Sequence, residues 1–210
     1  RELLASSDSP HLFMDCLRPR LTDPAQARAY RFEGRWDGIV GIPDYLHAHR
    51  RMLEDPPVPD LYDSDWRIYT RSEEMPPVVL EPGAEIADSL LSNGSVIHGR
   101  VERSVLSPGV YVGPGAVVRD SVLLNRVRVE AGAVVERCIL DKRVQVGENA
   151  RVGVPAGEGS AGPEELEGIT VMGKRASVEP GGIVGGGIEI PAREITTAEY
   201  LESLEAEGRT

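Results

Sequence analysis

The chain has 210 residues, enough for one large domain or two small ones, and its formal net charge is −11. A surface of this sign repels nucleic acid and anionic membranes, so neither is expected as a partner, whereas a local basic pocket for a phosphorylated ligand is compatible with it. The 23 glycines and 16 prolines, against 5% aromatic residues, favour short strands joined by tight turns over a helical bundle. Cys16 and Cys138 lack zinc-type spacing and no secretory or transmembrane run is recognisable, so we expect a reduced, cytoplasmic protein.

The first part of the chain is of mixed character. Residues 22–29 (TDPAQARA) and 43–54 (PDYLHAHRRMLE) have helix-like sequences, and the first has a threonine and an aspartate ahead of proline, as at a helix start. Residues 56–77 are proline-rich and are predicted to be an extended connecting segment laid over a surface. Because the chain starts at Arg1 rather than at methionine, and without a clear domain start, we expect a piece of a longer protein.

A repeat begins at Leu80. Residues 104–120 (SVLSPGVYVGPGAVVRD) and 121–137 (SVLLNRVRVEAGAVVER) restate one pattern, and its period consists of two six-residue units and one five-residue unit. An α-helix or a plain alternating strand would not bury this spacing on one face, whereas a coil with three flat faces does. The opening coil, from Ile86 to Val101, is shorter than the full period. The sequence therefore predicts a mainly β protein, a left-handed parallel β-helix of hexapeptide type.

The first residues of the units are the predicted interior positions. In the second repeat, Leu124, Val129 and Val135 are expected to face inward, and Arg128 and Glu136 outward. Elsewhere the expected interior residues are Leu80, Ile86, Val112, Val118 and Val146. Aliphatic columns are also expected to stack from coil to coil: Val110, Val127 and Val144, and Val105, Val122 and Ile139. Each buried aliphatic side chain contributes roughly 1.5–3 kcal/mol, so neighbouring coils stabilise each other.

Residues 154–168 (VPAGEGSAGPEELEG) interrupt the period and are predicted to be an excursion loop. The six-residue pattern then resumes at Leu166, Met172, Val178, Val184 and Ile190. A capping-box pattern at 196–199 opens a short predicted helix (TAEYLESLEAE). This helix caps the open end of the coil, packs against a partner or frays. We therefore assign residues 80–190 to a β-helix domain and 191–210 to a C-terminal tail.

Few side chains offer recognisable chemistry. The only histidine of the coil region is His98, which is either the base of a hexapeptide acyltransferase or a turn residue of the shortened coil. The four histidines lack the clustering that a zinc site between adjacent coils needs. The glycine run at 181–187 lies inside the six-residue pattern, which indicates corner glycines rather than a phosphate loop. We predict no catalytic residue and no metal ligand in this chain.

Several stretches occur in the order found in one known family. They are YRFEGRW, IPDYLHAHRRML, PDLYDSDWRIYTRSEEMPP and the segments that begin DSLLSNG and SVLLNRV, and together they cover most of residues 11–153. DSLLSNG, SVLSPGV and CILDKRV are the most specific. On these stretches the chain resembles the C-terminal half of the ADP-glucose pyrophosphorylase (glucose-1-phosphate adenylyltransferase) family. The resemblance implies that residues 1–55 are the trailing portion of an α/β nucleotidyltransferase domain and that residues 56–79 are a linker.

The resemblance implies an activity for the whole protein, which joins glucose 1-phosphate and ATP into ADP-glucose and pyrophosphate, with Mg²⁺, for glycogen or starch synthesis. In the family, the N-terminal domain carries the Gly-rich nucleotide loop, the catalytic lysine and arginine and the first metal-binding aspartate, and none of these motifs occurs here. Residues 1–210 alone are therefore expected to be inactive. The family is usually tetrameric and allosteric, which implies a homo- or hetero-oligomer, whereas the acidic tail lacks the family's basic C-terminal segment.

Two acidic positions depart from the family pattern. The segment HLFM stands where the family has His-Asp-Phe-Gly, so Leu12 replaces the acid, and Gly38 takes the place of the second metal-binding aspartate. Asp37 lies one residue early, and on an extended segment it faces the other way unless a bulge restores it. Phe13 and Trp36 match the pattern, and are either binding residues for glucose 1-phosphate or buried core aromatics.

Two functions from different classes follow from this resemblance. The first is an adenylyltransferase seen without its catalytic core. The second is a non-catalytic or regulatory paralogue or subunit, whose β-helix serves oligomerisation and allostery. A hexapeptide acyltransferase is disfavoured by the single coil histidine and by the family-like segment at 56–77. The sequence upstream of Arg1 separates the first two, because an intact Gly-rich loop with its basic residues would favour an enzyme.

Overall fold

The computed structural model describes residues 18, 21, 30–33, 36–65, 67–70, 74–153 and 168–193. The chain divides into two compact units, Arg1–Asp37 and Gly38–Thr210. The α-helix and the strands of the described residues all lie in the second unit. The predicted helices at 22–29 and after 196 fall outside the described residues, so they stay predictions.

One α-helix, α1 (Ile42–Arg51), confirms the helix expected at 43–54 and ends three residues earlier. Pro43 lies in its first turn, where a missing backbone N–H costs nothing. Its last turn is basic, which favours the negative end of the helix dipole. After α1, the described residues from 56 to 77 contain turns and bends but neither helix nor strand. That residues 56–79 are a linker stays a prediction.

The described part of the chain then forms short strands. In chain order they are β1 (Val79–Leu80), β2 (Glu85–Ala87), β3 (Leu90–Leu91), β4 (Val96–Ile97), β5 (Arg100–Glu102), β6 (Val105–Leu106), β7 (Tyr111–Val112), β8 (Val117–Arg119), β9 (Val122–Leu123), β10 (Arg128–Val129), β11 (Val134–Glu136), β12 (Cys138–Leu140), β13 (Gln145–Val146), β14 (Arg151–Gly153), β15 (Thr170–Met172), β16 (Ser177–Val178), β17 (Ile183–Val184) and β18 (Glu189–Ile190).

Every third strand pairs in parallel, which gives three six-stranded sheets around one axis. Sheet A contains β1, β4, β7, β10, β13 and β16; sheet B contains β2, β5, β8, β11, β14 and β17; and sheet C contains β3, β6, β9, β12, β15 and β18. This arrangement confirms the predicted mainly β, left-handed parallel β-helix of hexapeptide type. That a trailing portion of an α/β domain precedes it stays a prediction.

The pairing register reproduces the sequence period. Val101, Val118, Val135 and Val152 are successive partners in sheet B, each one full period after the last. The shorter opening coil is confirmed, because Val101 pairs on its other side with Ile86 and not with Ala84, which lies one full period before it. Across the interval that contains residues 154–167 the partners lie much further apart along the chain, as for Val146 and Val178. The register of the sheets is therefore the same on both sides of that interval. Residues 154–167, where the excursion loop is predicted, lie outside the described residues, so the loop stays a prediction.

The interior of the coil is aliphatic. Val129 and Val135 are fully buried there, as predicted, and Met172, Val178, Val184 and Ile190 contact the same core. Leu80, also predicted to be interior, is instead 55% exposed, because its strand is the outermost of sheet A and has a neighbour on one side only. The prediction that Leu124 faces inward is wrong: the interior residue is Leu123, which has no exposed surface, while Leu124 packs toward α1. Adjacent residues of a strand point to opposite sides, so a one-residue error in placing the five-residue unit reverses the direction of the side chain.

A column of small polar residues lines the corner between sheets B and C. The backbone N–H of Ser104 donates to the Oγ of Ser89 at 3.1 Å, that of Ser121 to the Oγ of Ser104 at 3.1 Å, and that of Cys138 to the Oγ of Ser121 at 3.0 Å. The side chains of Ser104 and Ser121 in turn donate to the carbonyl two residues earlier. These bonds satisfy buried polar groups where the chain leaves one sheet for the next.

Candidate functional site

The predicted glucose 1-phosphate residues are not brought together in the part of the chain that the structure describes. Phe13 and Leu12 lie outside the described residues, so their roles stay predictions. Trp36 is 85% exposed. Gly38 is exposed, and a Cβ added there would meet nothing within 4 Å, so an aspartate would fit sterically at this position.

The segment that follows Gly38 is fastened to the start of α1. The carboxylate of Asp44 accepts hydrogen bonds from the backbone N–H groups of Val40, at 3.1 Å, and Gly41, at 2.9 Å. These bonds satisfy donors that a helix start leaves without intrahelical partners. They therefore fix the backbone of Val40 and Gly41 relative to the helix.

The other end of α1 is bound to the β-helix through one carboxylate. Asp120 Oδ1 accepts from Arg50 Nη2 at 2.5 Å and from Arg103 Nε at 2.9 Å, and Oδ2 accepts from Arg103 Nη2 at 2.7 Å. We call Arg50, Asp120 and Arg103 the clamp. Burial opposes ionisation of Asp120, but the hydrogen bonds and charges of Arg103 and Arg50 outweigh it and hold the pKa of the carboxyl below its usual value.

A second ion-pair group lies on the outer side of sheet B. The carboxylate of Glu102 accepts a hydrogen bond from Arg119 Nε at 2.8 Å. It accepts another from Arg100 Nε at 2.6 Å and forms an ion pair with the same guanidinium group. Burial opposes the charge of Glu102, yet the two guanidinium groups keep its pKa below the usual value. Its acceptor sites are occupied by Arg100 and Arg119, so we assign this group to the stability of adjacent coils.

Basic residues are concentrated along the corner between sheets C and A, which we call the basic corner. They are Arg126, Lys142, Arg143, Lys174 and Arg175. The backbone N–H of Arg143 donates to Asn125 and that of Arg175 donates to Lys142, so these turns stack one above another. The acidic composition left room for a local basic pocket, but this place was not predicted. Its signal in the sequence is the recurrence of a basic residue at 126, 143 and 175, the same place in successive coils. Stacked cations in a chain of net charge −11 make this corner suited to an anionic ligand.

His98 occupies a corner between sheets A and B, as expected of a turn residue in the shortened coil. Its ring meets Tyr111 edge-on, with ring centroids 5.6 Å apart, and Arg128 lies over the face of Tyr111, 4.2 Å from its centroid. Gly99 follows, where a Cβ would run into the carbonyl oxygens of Ala116 and Gly113. The shortened coil therefore requires glycine at this corner, and the packing of His98 against Tyr111 accounts for its place.

These features define a left-handed β-helix protein of the hexapeptide class that carries an attached helix and a basic corner. The chain belongs to the family described as GlmU-like, C-terminal hexapeptide, which matches residues 80–184. Among the described residues, α1 is too short and too polar to cross a bilayer, and no other helix there could do so.

The relatives confirm the resemblance that the sequence indicated. The chain is 42% identical over 199 residues to a glucose-1-phosphate adenylyltransferase of Thermomicrobium roseum, covering 91% of this chain and 46% of that protein. It is 31% identical over 210 residues to the protein of the same name from Acetivibrio thermocellus, covering 97% of this chain and 48% of the relative. The chain therefore spans about half the length of the curated relatives it matches.

Proposed function

We propose that this chain is the C-terminal part of a glucose-1-phosphate adenylyltransferase, which forms ADP-glucose and pyrophosphate from ATP and glucose 1-phosphate in glycogen or starch synthesis. The observation that carries the proposal is the match to the Thermomicrobium roseum protein over 91% of this chain. In this proposal ATP and glucose 1-phosphate bind mainly through a domain outside these residues. Phe13 and Trp36 would complete the sugar-phosphate pocket of a cytoplasmic enzyme.

The described residues of this chain do not fit a Mg²⁺ site. They contain no group of three or more histidine, cysteine, aspartate or glutamate side chains that could hold a metal ion. Gly38 has no side chain to offer where the family's aspartate stands. We therefore derive no step through the metal from the described residues, and propose that Mg²⁺ binds elsewhere in the full-length protein.

The proposal is tested by measuring pyrophosphate release from ATP and glucose 1-phosphate in the presence of Mg²⁺. The full-length protein is expected to be active and residues 1–210 alone inactive. The charge that develops in this transfer is stabilised by catalytic basic residues and a metal ion, and the family's motifs for these groups do not occur in this sequence. Activity of residues 1–210 alone would contradict the assignment of catalysis to the other part. Gly38→Asp in the full-length protein should raise activity where loss of the carboxylate limits it, and an unchanged low activity would argue against that cause.

A regulatory or assembling role for the β-helix is the second candidate, and the basic corner favours it. Its cations would bind the phosphate of a sugar phosphate or nucleotide. Lys142→Ala is expected to weaken the response of the full-length protein to such effectors, while Arg151→Ala, an exposed cation on sheet B, should not. A catalytically silent full-length protein that changes the activity of a related subunit would favour this candidate over the first. Light scattering would test the proposed tetramer.

A further inference from the structure

We propose that α1 acts as a strut, which means that it holds residues 38–41 in a fixed position relative to the β-helix. Asp120, Arg50 and Asp44 are its positioning residues. The assignment rests on the proposed function and on the family resemblance, by which Gly38 stands at the place of a metal-binding aspartate of the active site. Its physical basis is a continuous series of contacts from the third coil to the backbone of that segment.

The series begins at the clamp. Asp120 lies at a corner of the coil with a φ of 49°, a conformation that aspartate tolerates better than most residues. Its side chain is 15% exposed and that of Arg50 is 24% exposed, so their pairing is shielded from solvent more than an ordinary surface ion pair. Arg103 holds Asp120 through two further hydrogen bonds, at 2.9 and 2.7 Å. The carboxylate is therefore already oriented when Arg50 reaches it.

The middle of α1 packs on sheet C through apolar contacts. Leu46 is 1% exposed and belongs to one buried cluster with Val122 of β9 and Ile139 of β12. This cluster is separate from the core inside the coil. The β-helix therefore keeps its own interior packing when the helix shifts, while Leu46 and the clamp give the helix a defined place on the sheet.

The series ends at the helix start. Asp44 binds the N–H groups of Val40 and Gly41, and the N–H of Tyr45 donates to the carbonyl of Gly41 at 3.2 Å. Gly38 lies three residues before Gly41. A rotation or translation of α1 on sheet C is therefore transmitted to the backbone of residues 38–41. Small displacements of positioning groups are sufficient to change a rate, since a shift of about 1 Å can cost on the order of 100-fold.

The test uses Asp120→Asn, which keeps the shape of the side chain and removes its charge, with Glu130→Gln as the matched control. Glu130 pairs with Arg128 at 2.9 Å on sheet A, away from α1. Hydrogen exchange of the Val40, Gly41 and Tyr45 amides is measured in the chain, and kcat and KM for both substrates are measured in the full-length protein. Asp120→Asn is expected to speed exchange of these amides and to raise the KM for glucose 1-phosphate about tenfold, with the KM for ATP unchanged.

Asp44, at the other end of α1, and Arg50, the partner of Asp120 in the clamp, supply independent variants. Asp44→Ala should raise the KM for glucose 1-phosphate while leaving Arg50 and Asp120 in place. Arg50→Met should reproduce the effect of Asp120→Asn, and Arg50→Lys, which keeps a cation, should restore part of it. A merely structural role would lower thermal stability without separating the two KM values.

The exchange rates and the KM values together decide between the possible outcomes. Faster exchange with unchanged KM values would overturn the positioning role while leaving the proposed function intact. Unchanged exchange in Asp120→Asn would show that the clamp does not hold the segment, and would also overturn it. Absence of ADP-glucose synthesis by the wild-type full-length protein would overturn the proposed function and this assignment together. Equal effects of Asp120→Asn and Glu130→Gln would reject a strut specific to α1.

Discussion

Apolar side chains are packed differently in the coils between residues 100 and 153 and in the segment between residues 38 and 70, which we call the leading segment. In the coils, each interior residue finds a partner one period away along the chain, as Val118 does in Val101 and Val135. In the leading segment, Tyr62 is 83% exposed and Tyr69 is 90% exposed. The repeat is self-sufficient because every coil presents the same surface to the next.

Helix α1 is the exception within the leading segment. Its Leu46 is buried against sheet C, whereas the neighbouring Val40 is 93% exposed. Contiguous exposed apolar surface, unlike single exposed side chains, is typical of contacts with another part of a protein. This contrast agrees with the proposed function, in which the leading segment contacts a domain outside these residues. The coils thus bury their apolar side chains against each other, whereas most of the leading segment outside α1 is exposed.

The largest effect should separate two adjacent leucines. Leu123→Ala removes a fully buried side chain from the coil interior and is expected to lower the free energy of unfolding by about 2–5 kcal/mol. Leu124→Ala, on the side facing α1, is expected to cost about 1 kcal/mol because its site is partly open to solvent. Urea unfolding of both variants measures the difference. Equal losses would contradict the inward register of Leu123.

The next effect should come from a corner where the backbone has no spare room. Gly153 has a φ of 94°, and a Cβ there would collide with the carbonyl oxygen of Glu136. Gly153→Ala is expected to cost about 2–4 kcal/mol in unfolding free energy, from clash and backbone strain together. Gly115→Ala is the control, because its φ is 69° and nothing lies within 4 Å of the added Cβ. That variant should cost about 1 kcal/mol, and a comparable loss in both would refute the clash.

A smaller, pH-dependent loss of unfolding free energy is expected at the contact between α1 and the β-helix. Asp120→Asn is expected to lower the unfolding free energy by about 1–3 kcal/mol at pH 7, because the clamp loses its charge. A carboxyl whose folded pKa is lowered contributes stability that is present above its unfolded pKa, about 3.9, and that is lost as the pH falls through the folded pKa. The difference between wild type and variant should therefore disappear in the most acidic buffers. A difference that persists there would assign the effect to packing rather than to charge.

The sequence was sufficient to predict the β-helix and not the way α1 attaches to it. The period could be read because each coil repeats the apolar pattern of its neighbour, so that Val129 and Val135 stand at positions that recur in every coil. The Leu124 error arose inside the five-residue unit, where two leucines stand side by side and either fits the pattern. Arg50 and Asp120 are 70 residues apart in a chain with 27% charged residues, so no local pattern distinguishes their pairing from chance.

The candidate site was still less predictable than the fold. The basic corner could have been found by aligning the turns of successive coils, since Arg126 and Arg143 occupy the same place in the period. The roles of Phe13 and Trp36 came only from resemblance, because a pocket requires residues from distant parts of a chain to meet. Local sequence determines a repeat that contacts itself, whereas a site built between elements depends on packing that no single stretch encodes.

The smallest effect should come from Cys138, which continues the serine column at the corner of sheets B and C. Its Sγ lies 3.1 Å from the carbonyl oxygen of Glu136, two residues earlier. The hydroxyl of Ser121 makes the equivalent contact with the carbonyl oxygen of Arg119, also two residues earlier. Cys138→Ser should therefore change the unfolding free energy by less than about 1 kcal/mol. Burial raises the pKa of the Cys138 thiol to about 12, so in a Cys16→Ser background the folded protein should not react with a thiol reagent at pH 8, while the urea-unfolded protein should react completely. Rapid labelling of the folded chain would mean that this corner opens, and that the coils are less self-sufficient than their packing indicates.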